Sequence, residues 1–131
     1  MERKEAESSA SQTLNIPGRL PGMNELINAN RISKWAGSKQ KKDYTNKIAE
    51  LAKSQLEIIE CKVDVTIKWY CKDRRRDKDN IMAGAKFIFD GLQEGGIIKN
   101  DGWNEIGDIN HLFYIDKENE RAEVIFKKSI E

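Results

Sequence analysis

The chain has 131 residues, one domain's worth, and a fold of that size buries about two-thirds of its unfolded surface without disulfide or metal staples. Composition is 38% hydrophobic and 34% charged, with 23 basic residues against 22 acidic ones for a net charge of +1. These values, with apolar runs of only a few residues and no apolar stretch behind the opening MERKEAESSASQ, exclude a membrane span, a secretory signal, a coiled coil and a disulfide mini-protein.

Residues 1–12 are polar and read as a disordered tail, which leaves 13–131 as the domain. Thr13 to Ile16 is expected to form a short strand that Pro17-Gly18 stops, and 18–22, which holds the second proline, Pro21, is a loop. Asn24 to Ile32 reads as a short helix with Leu26 and Ile27 on its buried side. Lys41 to Ile59 reads as a longer one, because Tyr44, Ile48, Leu51, Ala52, Leu56 and Ile59 keep the three-and-four spacing of a single helix face. The clearest strand is 62–71, where Val63, Val65, Ile67, Trp69 and Cys71 alternate with polar or aromatic residues. Cys61 and Cys71 stand at opposite ends of that strand, too far apart to bond each other, so they are expected to be reduced in a cytoplasmic setting. A helix follows from about Asn80 to Glu94, with Ile81, Ala85, Ile88 and Leu92 as its buried stripe and Gly95-Gly96 as its stop. Ile106 to Ile115 and Arg121 to Lys128 are the last two strands, joined by the polar turn 117–120. The expected order is β-α-α-β-α-β-β, an α+β single domain in which helices pack on a small mixed β-sheet.

Charge is unevenly laid out. Arg31, Lys34, Lys39, Lys41, Lys42 and Lys47 face Asp43 alone between residues 31 and 47. A second basic stretch holds Lys68, Lys72, Arg74, Arg75, Arg76 and Lys78 against Asp73 and Asp77, whereas acids outnumber bases eight to four from Asp101 onward. Two basic segments in a near-neutral domain either form a phosphate-binding face or are solvated surface.

The segment Asp73-Arg74-Arg75-Arg76-Asp77-Lys78-Asp79-Asn80 leaves a strand and enters a helix. Asp77 and Asp79 lie two apart, so in extended chain their carboxylates point the same way and repel unless a cation lies between them. Hard oxygen donors suit Mg²⁺, or Mn²⁺ in its place, with coordination positions left for a phosphate oxygen and a water. The arginines match phosphate bidentately. The alternative for these acids is helix capping and turn formation. Lys86, two helical turns beyond Asp79, is placed either to stabilise charge on a phosphate in flight or as an exposed helix lysine. Asp101 is either a turn residue or a third ligand. His111 reads as a packed or dimer-facing strand residue, Trp69 as core, and Trp35 and Trp103 as packed surface residues that are also able to stack on a base.

Taken in order, RRRDKDN, then the lysine and aspartate of KFIFDGL, then EGGIIKNDGWNEI, with IPGRLPGMNELINANR upstream, resemble the RusA family of Holliday-junction resolvases over roughly residues 14–128. The resemblance implies a homodimeric Mg²⁺-dependent endodeoxyribonuclease that resolves four-way junctions by paired nicks leaving 5′-phosphates, acting in recombination and repair. It makes Asp77, Asp79 and Asp101 the metal ligands and Lys86 the catalytic lysine. Lys39, Lys41, Lys42, Arg74, Arg75 and Arg76 are expected to contact DNA. No membrane and no small-molecule cofactor is implied. Two departures stand out: the lysine comes three residues later than in the family pattern, and Asn100 stands where some members carry a second acid. Asp90 matches a family position read here as structural, and outward Ile125 on the last strand is a candidate dimer contact. The rival readings are a non-catalytic nucleic-acid-binding module and a nuclease of other branched DNA.

Overall fold

The computed structural model describes residues 11–130. Its elements are β1 (Ser11–Pro17), α1 (Met23–Ile32), α2 (Lys34–Gln55), β2 (Val63–Cys71), α3 (Lys78–Met82), α4 (Ala85–Glu94), β3 (Ile106–Ile115) and β4 (Arg121–Lys128). The architecture is the expected α+β domain with a mixed four-stranded sheet, ordered β1-β4-β2-β3. Of the expected tail, Ser11 and Gln12 lead β1, while 1–10 lie outside the described residues. Among the described residues no helix is long and apolar enough to cross a membrane.

β4 pairs antiparallel with β1 and β2, and β2 pairs parallel with β3, Ile67 lying opposite His111 and Trp69 opposite Phe113. The period-two pattern of β2 buries all five odd positions, Val63 through Cys71, against a core that Ile48, Ala52, Phe87, Ile88 and Leu92 complete from α2 and α4. Leu14, Ile16, Val124 and Phe126 extend that apolar face across β1 and β4. β4 is an inner strand, so Ile125 lies opposite Thr13 and Thr66 within the sheet, and only β1 and β3 present a free edge.

Three expectations are corrected in detail. α2 runs from Lys34 to Gln55 rather than from Lys41 to Ile59: the Ser33 hydroxyl accepts the Ala36 N–H at 2.9 Å and caps a first turn that no apolar stripe announces, and the chain turns extended at Leu56, so Leu56 and Ile59 lie beyond the helix. Ile27 on α1 is exposed, and only Leu26 of the expected pair packs against the core. The expected helix over 80–94 is broken at Ala83-Gly84, where bonds of the i→i+3 type run from Gly84 N to Ile81 O at 3.0 Å and from Phe87 N to Gly84 O at 3.1 Å. A Cβ at Gly84 would stand 3.1 Å from both Leu20 Cβ and the Trp69 ring, so the break sits where the backbone presses directly onto the core. The stop at Gly95-Gly96 is as expected: Gly96 adopts φ 75°, and Ile97 N returns to Leu92 O at 2.9 Å.

Candidate active site and nucleic-acid interface

The chain leaves β2 at Cys71 into a segment that its own side chains hold in shape. Asp73 accepts the Arg75 N–H at 3.0 Å, an Asx turn, and its other oxygen lies 3.6 Å from Arg75 Nε. Arg76 turns inward. Its Nη1 donates to the Leu20 carbonyl at 3.2 Å, and the guanidinium lies 3.9 Å from Glu120 and 4.0 Å from Glu25. Arg76 thus ties the segment to the loop after β1 and the turn before β4, whereas Arg74 and Arg75 face solvent. Beneath it the Cys71 thiol is pushed up by burial, opposed by the nearby Arg76 charge, and both cysteines are free, as expected.

Asp77 occupies the N-cap of α3 in extended backbone, and its carbonyl accepts the Ile81 N–H at 3.1 Å. Its carboxylate makes no capping bond. Asp79 accepts only the N–H of its neighbour Asn80, at 2.9 Å. Asn80 has a separate task that the sequence did not reveal: its Oδ1 accepts the Asn24 N–H at 2.8 Å, and a Cβ at Gly22 would meet its side chain. It therefore clamps the start of α1 to α3, beside a Gly22 N–H that donates to Glu25 at 2.9 Å. Asp77 lines a hollow of about 660 Å³ with Arg74, Lys78, Phe113, Tyr114 and Ile115, and Lys78 Nζ lies 5.3 Å over the Phe113 ring.

Lys86, in the first turn of α4, is exposed and pairs with Asp90 at 3.2 Å. Asp90 is mostly buried. Its second oxygen has no hydrogen-bond partner and lies 3.8 Å from Lys41 on α2, so one carboxylate links the helical lysine to the basic stretch. An open depression of about 600 Å³ at that junction is lined by Lys41, Lys42, Thr45, Asp90 and Glu94. Lys39 pairs with Asp43 at 2.8 Å, and Lys42 has no acidic partner among the described residues. The two-turn spacing from Asp79 to Lys86 assumed one continuous helix; the tightened turns at Gly84 replace it, and Lys86 is oriented by Asp90.

Asp101 lies on the loop before β3, exposed and with an uncommitted carboxylate. That loop packs at the other end of the sheet: Lys99, Asn104 and Glu105 share a hollow of about 660 Å³ with Ile58 and Cys61, which precede β2. Because β2 and β3 are parallel, Asp77 follows the end of one strand while Asp101 precedes the start of the other. Among the described residues no three His, Cys, Asp or Glu side chains gather closely enough to hold a metal ion. The donors suit a hard divalent cation in kind, but a single copy of the chain does not assemble three of them.

Trp69 is core as expected, and its indole N–H donates to His111 Nδ1 at 2.9 Å. Burial holds the His111 pKa below the usual histidine range. Trp35 and Trp103 are not packed: both are exposed, Trp103 by 92%. Its place two residues after Asp101 was the only signal for a possible contact.

The crossover between the parallel strands carries Arg74, Arg75, Asp77, Asp79, Lys86 and Asp101 at exposed positions. The family described as Endodeoxyribonuclease RusA matches residues 23–126, most of the chain, and the chain belongs to that family of Holliday-junction-resolving endonucleases. Among curated proteins none matches it.

Proposed function

We propose that the protein is a Mg²⁺-dependent endonuclease that nicks four-way DNA junctions in symmetric pairs, working as a homodimer. The observation that carries the reading is the state of the acids. Asp77 holds an N-cap position and yet forms no capping bond, and Asp79 reaches only its neighbour's amide. Acids present merely to cap a helix would be engaged in that task, so their idleness speaks against a plain binding module.

Asp77 and Asp79 of one copy would hold the ion together with Asp101. Since the first two and the third lie toward opposite ends of the parallel pair, Asp101 is best supplied by a second copy. A cation bound there neutralises phosphate charge and makes a nucleophile available from water near neutral pH. The chain's own groups do the rest. Lys86, steered by Asp90, offers an ammonium to charge developing on the phosphate. Arg74, Arg75, Lys39, Lys41 and Lys42 hold flanking phosphates, and Arg76 braces the segment that presents them. A two-fold protein also matches a two-fold substrate.

The test is a synthetic four-way junction beside a linear duplex, each with Mg²⁺ or EDTA, using wild type and Asp79→Asn. Paired, Mg²⁺-dependent nicks in the junction alone, abolished in the variant while junction binding persists, are expected. Unimpaired cutting by Asp79→Asn refutes the site.

A further inference from the structure

We infer that the corner where α1 meets α2 is an apolar wedge: Ile32 and Trp35 enter the base stack where the arms of a junction meet, and so let the protein tell a junction from continuous duplex. Both are large apolar side chains left in water. Ile32, the last residue of α1, is 79% exposed, and Trp35, in the first turn of α2, is 71% exposed. Apolar residues scattered singly over a surface are ordinary. These two stand three residues apart on a corner that the chain builds with care.

One residue makes the turn. The Ser33 N–H closes α1 on the Ala29 carbonyl at 3.2 Å, and its hydroxyl opens α2 by accepting the Ala36 N–H at 2.9 Å. Just behind the tip Asn30 lies against Gly37, where a Cβ would run into its side chain, so the two helices approach closely there. The hairpin also stands with both feet on the candidate site. At the start of α1 the Asn24 N–H donates to Asn80, the neighbour of Asp79, at 2.8 Å. Along α2, Lys41 lies 3.8 Å from Asp90, the partner of Lys86. From Asn24 to Ile32 the helix rises about 12 Å, so the tip is held at a set distance from the acids and the lysine.

The charge around the tip selects its occupant. Arg31, Lys34 and Lys39 flank the two residues and are exposed, Lys41 and Lys42 follow on the same helix, and no acid stands between Glu25 and Asp43. A protein surface docked here would have to bury these cations, whereas a polyanion pairs with them. Apolar side chains on such a basic surface enter between bases as wedges, and an indole stacks on any base. Prising stacked pairs apart costs free energy, least where pairing is already interrupted. Continuous duplex therefore resists the tip, while the point of strand exchange accepts it, and the difference is a preference for branched DNA. The wedge rests on the nuclease reading for its substrate, but it acts in binding and is read without any cleavage.

The experiment uses the full chain and a synthetic four-way junction with 2-aminopurine, a base that brightens when it unstacks, beside the exchange point. A linear duplex carrying the same base is the control, and both are read in EDTA. Wild type is expected to raise the junction signal and leave the duplex signal unchanged. Ile32→Ala with Trp35→Ala alters only exposed side chains and should melt with wild type by circular dichroism. It is expected to bind the duplex as before, to lose the junction signal, and to drop about 5–150-fold in junction-over-duplex affinity, the equivalent of one stacked base. Trp35→Phe alone is expected to keep the signal. A wild type that binds the junction without brightening it overturns the wedge, as does a double variant that keeps signal and ratio. So does a double variant whose oligomeric state changes by light scattering, because the tip would then be a protein contact. A protein that opens the junction in EDTA yet leaves it uncut in Mg²⁺ sinks the nuclease reading and leaves the wedge standing. One that nicks junctions without opening them does the reverse.

Discussion

Arg76 separates what the sequence implies from what the fold does with it. Sequence places it among three consecutive phosphate-binding arginines, whereas the structure leaves its side chain 15% exposed against 89% for Arg75. Arg76→Ala removes a charged hydrogen bond to the Leu20 carbonyl, a contact type worth about 1.5–3 kcal/mol. It also strips a partner near 4 Å from Glu120, itself largely buried. Discounting the longer and more exposed Glu25 contact, the expected loss is about 2–3 kcal/mol. Unfolding entropy of about 2.1 cal/mol/K per residue, over the 120 residues from 11 to 130, gives about 0.25 kcal/mol per degree. Arg76→Ala should therefore melt roughly 8–12 °C below wild type by circular dichroism at pH 7. Arg75→Ala, a surface change worth about 0.5 kcal/mol at most, should melt within about 2 °C. The DNA readout should reverse the order: Arg75→Ala weakens junction binding and lowers the slope of log affinity against log salt by about 1. An Arg76→Ala protein that melts with wild type but loses that salt slope would show a free phosphate clamp, and the bracing argument would fail.

A site shared between copies predicts complementation: Asp77→Asn and Asp101→Asn proteins, each inactive alone, should recover junction nicking when mixed and allowed to exchange subunits. No recovery on confirmed exchange would place all three acids in one copy. His111 predicts a pH effect on stability. Burial holds its pKa below the usual value, so the unfolded chain binds the proton more readily and the contribution, complete above about pH 6.5, is lost as pH falls through the folded value. Wild type should lose more melting temperature between pH 7 and 5 than His111→Gln, and parallel curves would contradict this. Trp103, 92% exposed beside Asp101, should behave as a base-stacking contact: Trp103→Ala leaves melting unchanged and weakens junction affinity about 5–150-fold, the equivalent of about 1–3 kcal/mol. Unaltered affinity would make it a bystander.

Elements whose signal is local were legible. The alternation of β2 and the glycine stop of α4 follow from period and backbone freedom, and both stand where expected. What escaped the sequence depended on partners distant in the chain. The break at Gly84 exists because Trp69 and Leu20 occupy the space beneath it. The inward turn of Arg76 needs a carbonyl 56 residues away and Glu120 beyond it. The start of α2 escapes the periodicity because Ser33 announces the helix by capping, while the amphipathic stripe starts only at Tyr44 and runs on past Gln55 into extended chain. The candidate acids themselves were readable as residue types in order, but their separation along the sheet was not, since it follows from strand pairing.

That pairing decides how the candidate site must work. A parallel neighbour within an otherwise antiparallel sheet obliges the chain between Cys71 and Ile106 to travel back along the strands before β3 can begin. All four proposed catalytic residues ride on this crossover. Asp77 and Asp79 sit at its departure, Lys86 on α4, and Asp101 at its return. β2 is nine residues long, about 30 Å at the usual strand rise, far more than a single cation spans with ligands near 2.1 Å. Closing that gap within one copy would require dismantling α4, whose Phe87, Ile88 and Leu92 are buried in the core. In the proposed dimer the third acid would come from the second copy, with no change inside either. The separation of the candidate acids thus has its cause in the strand order.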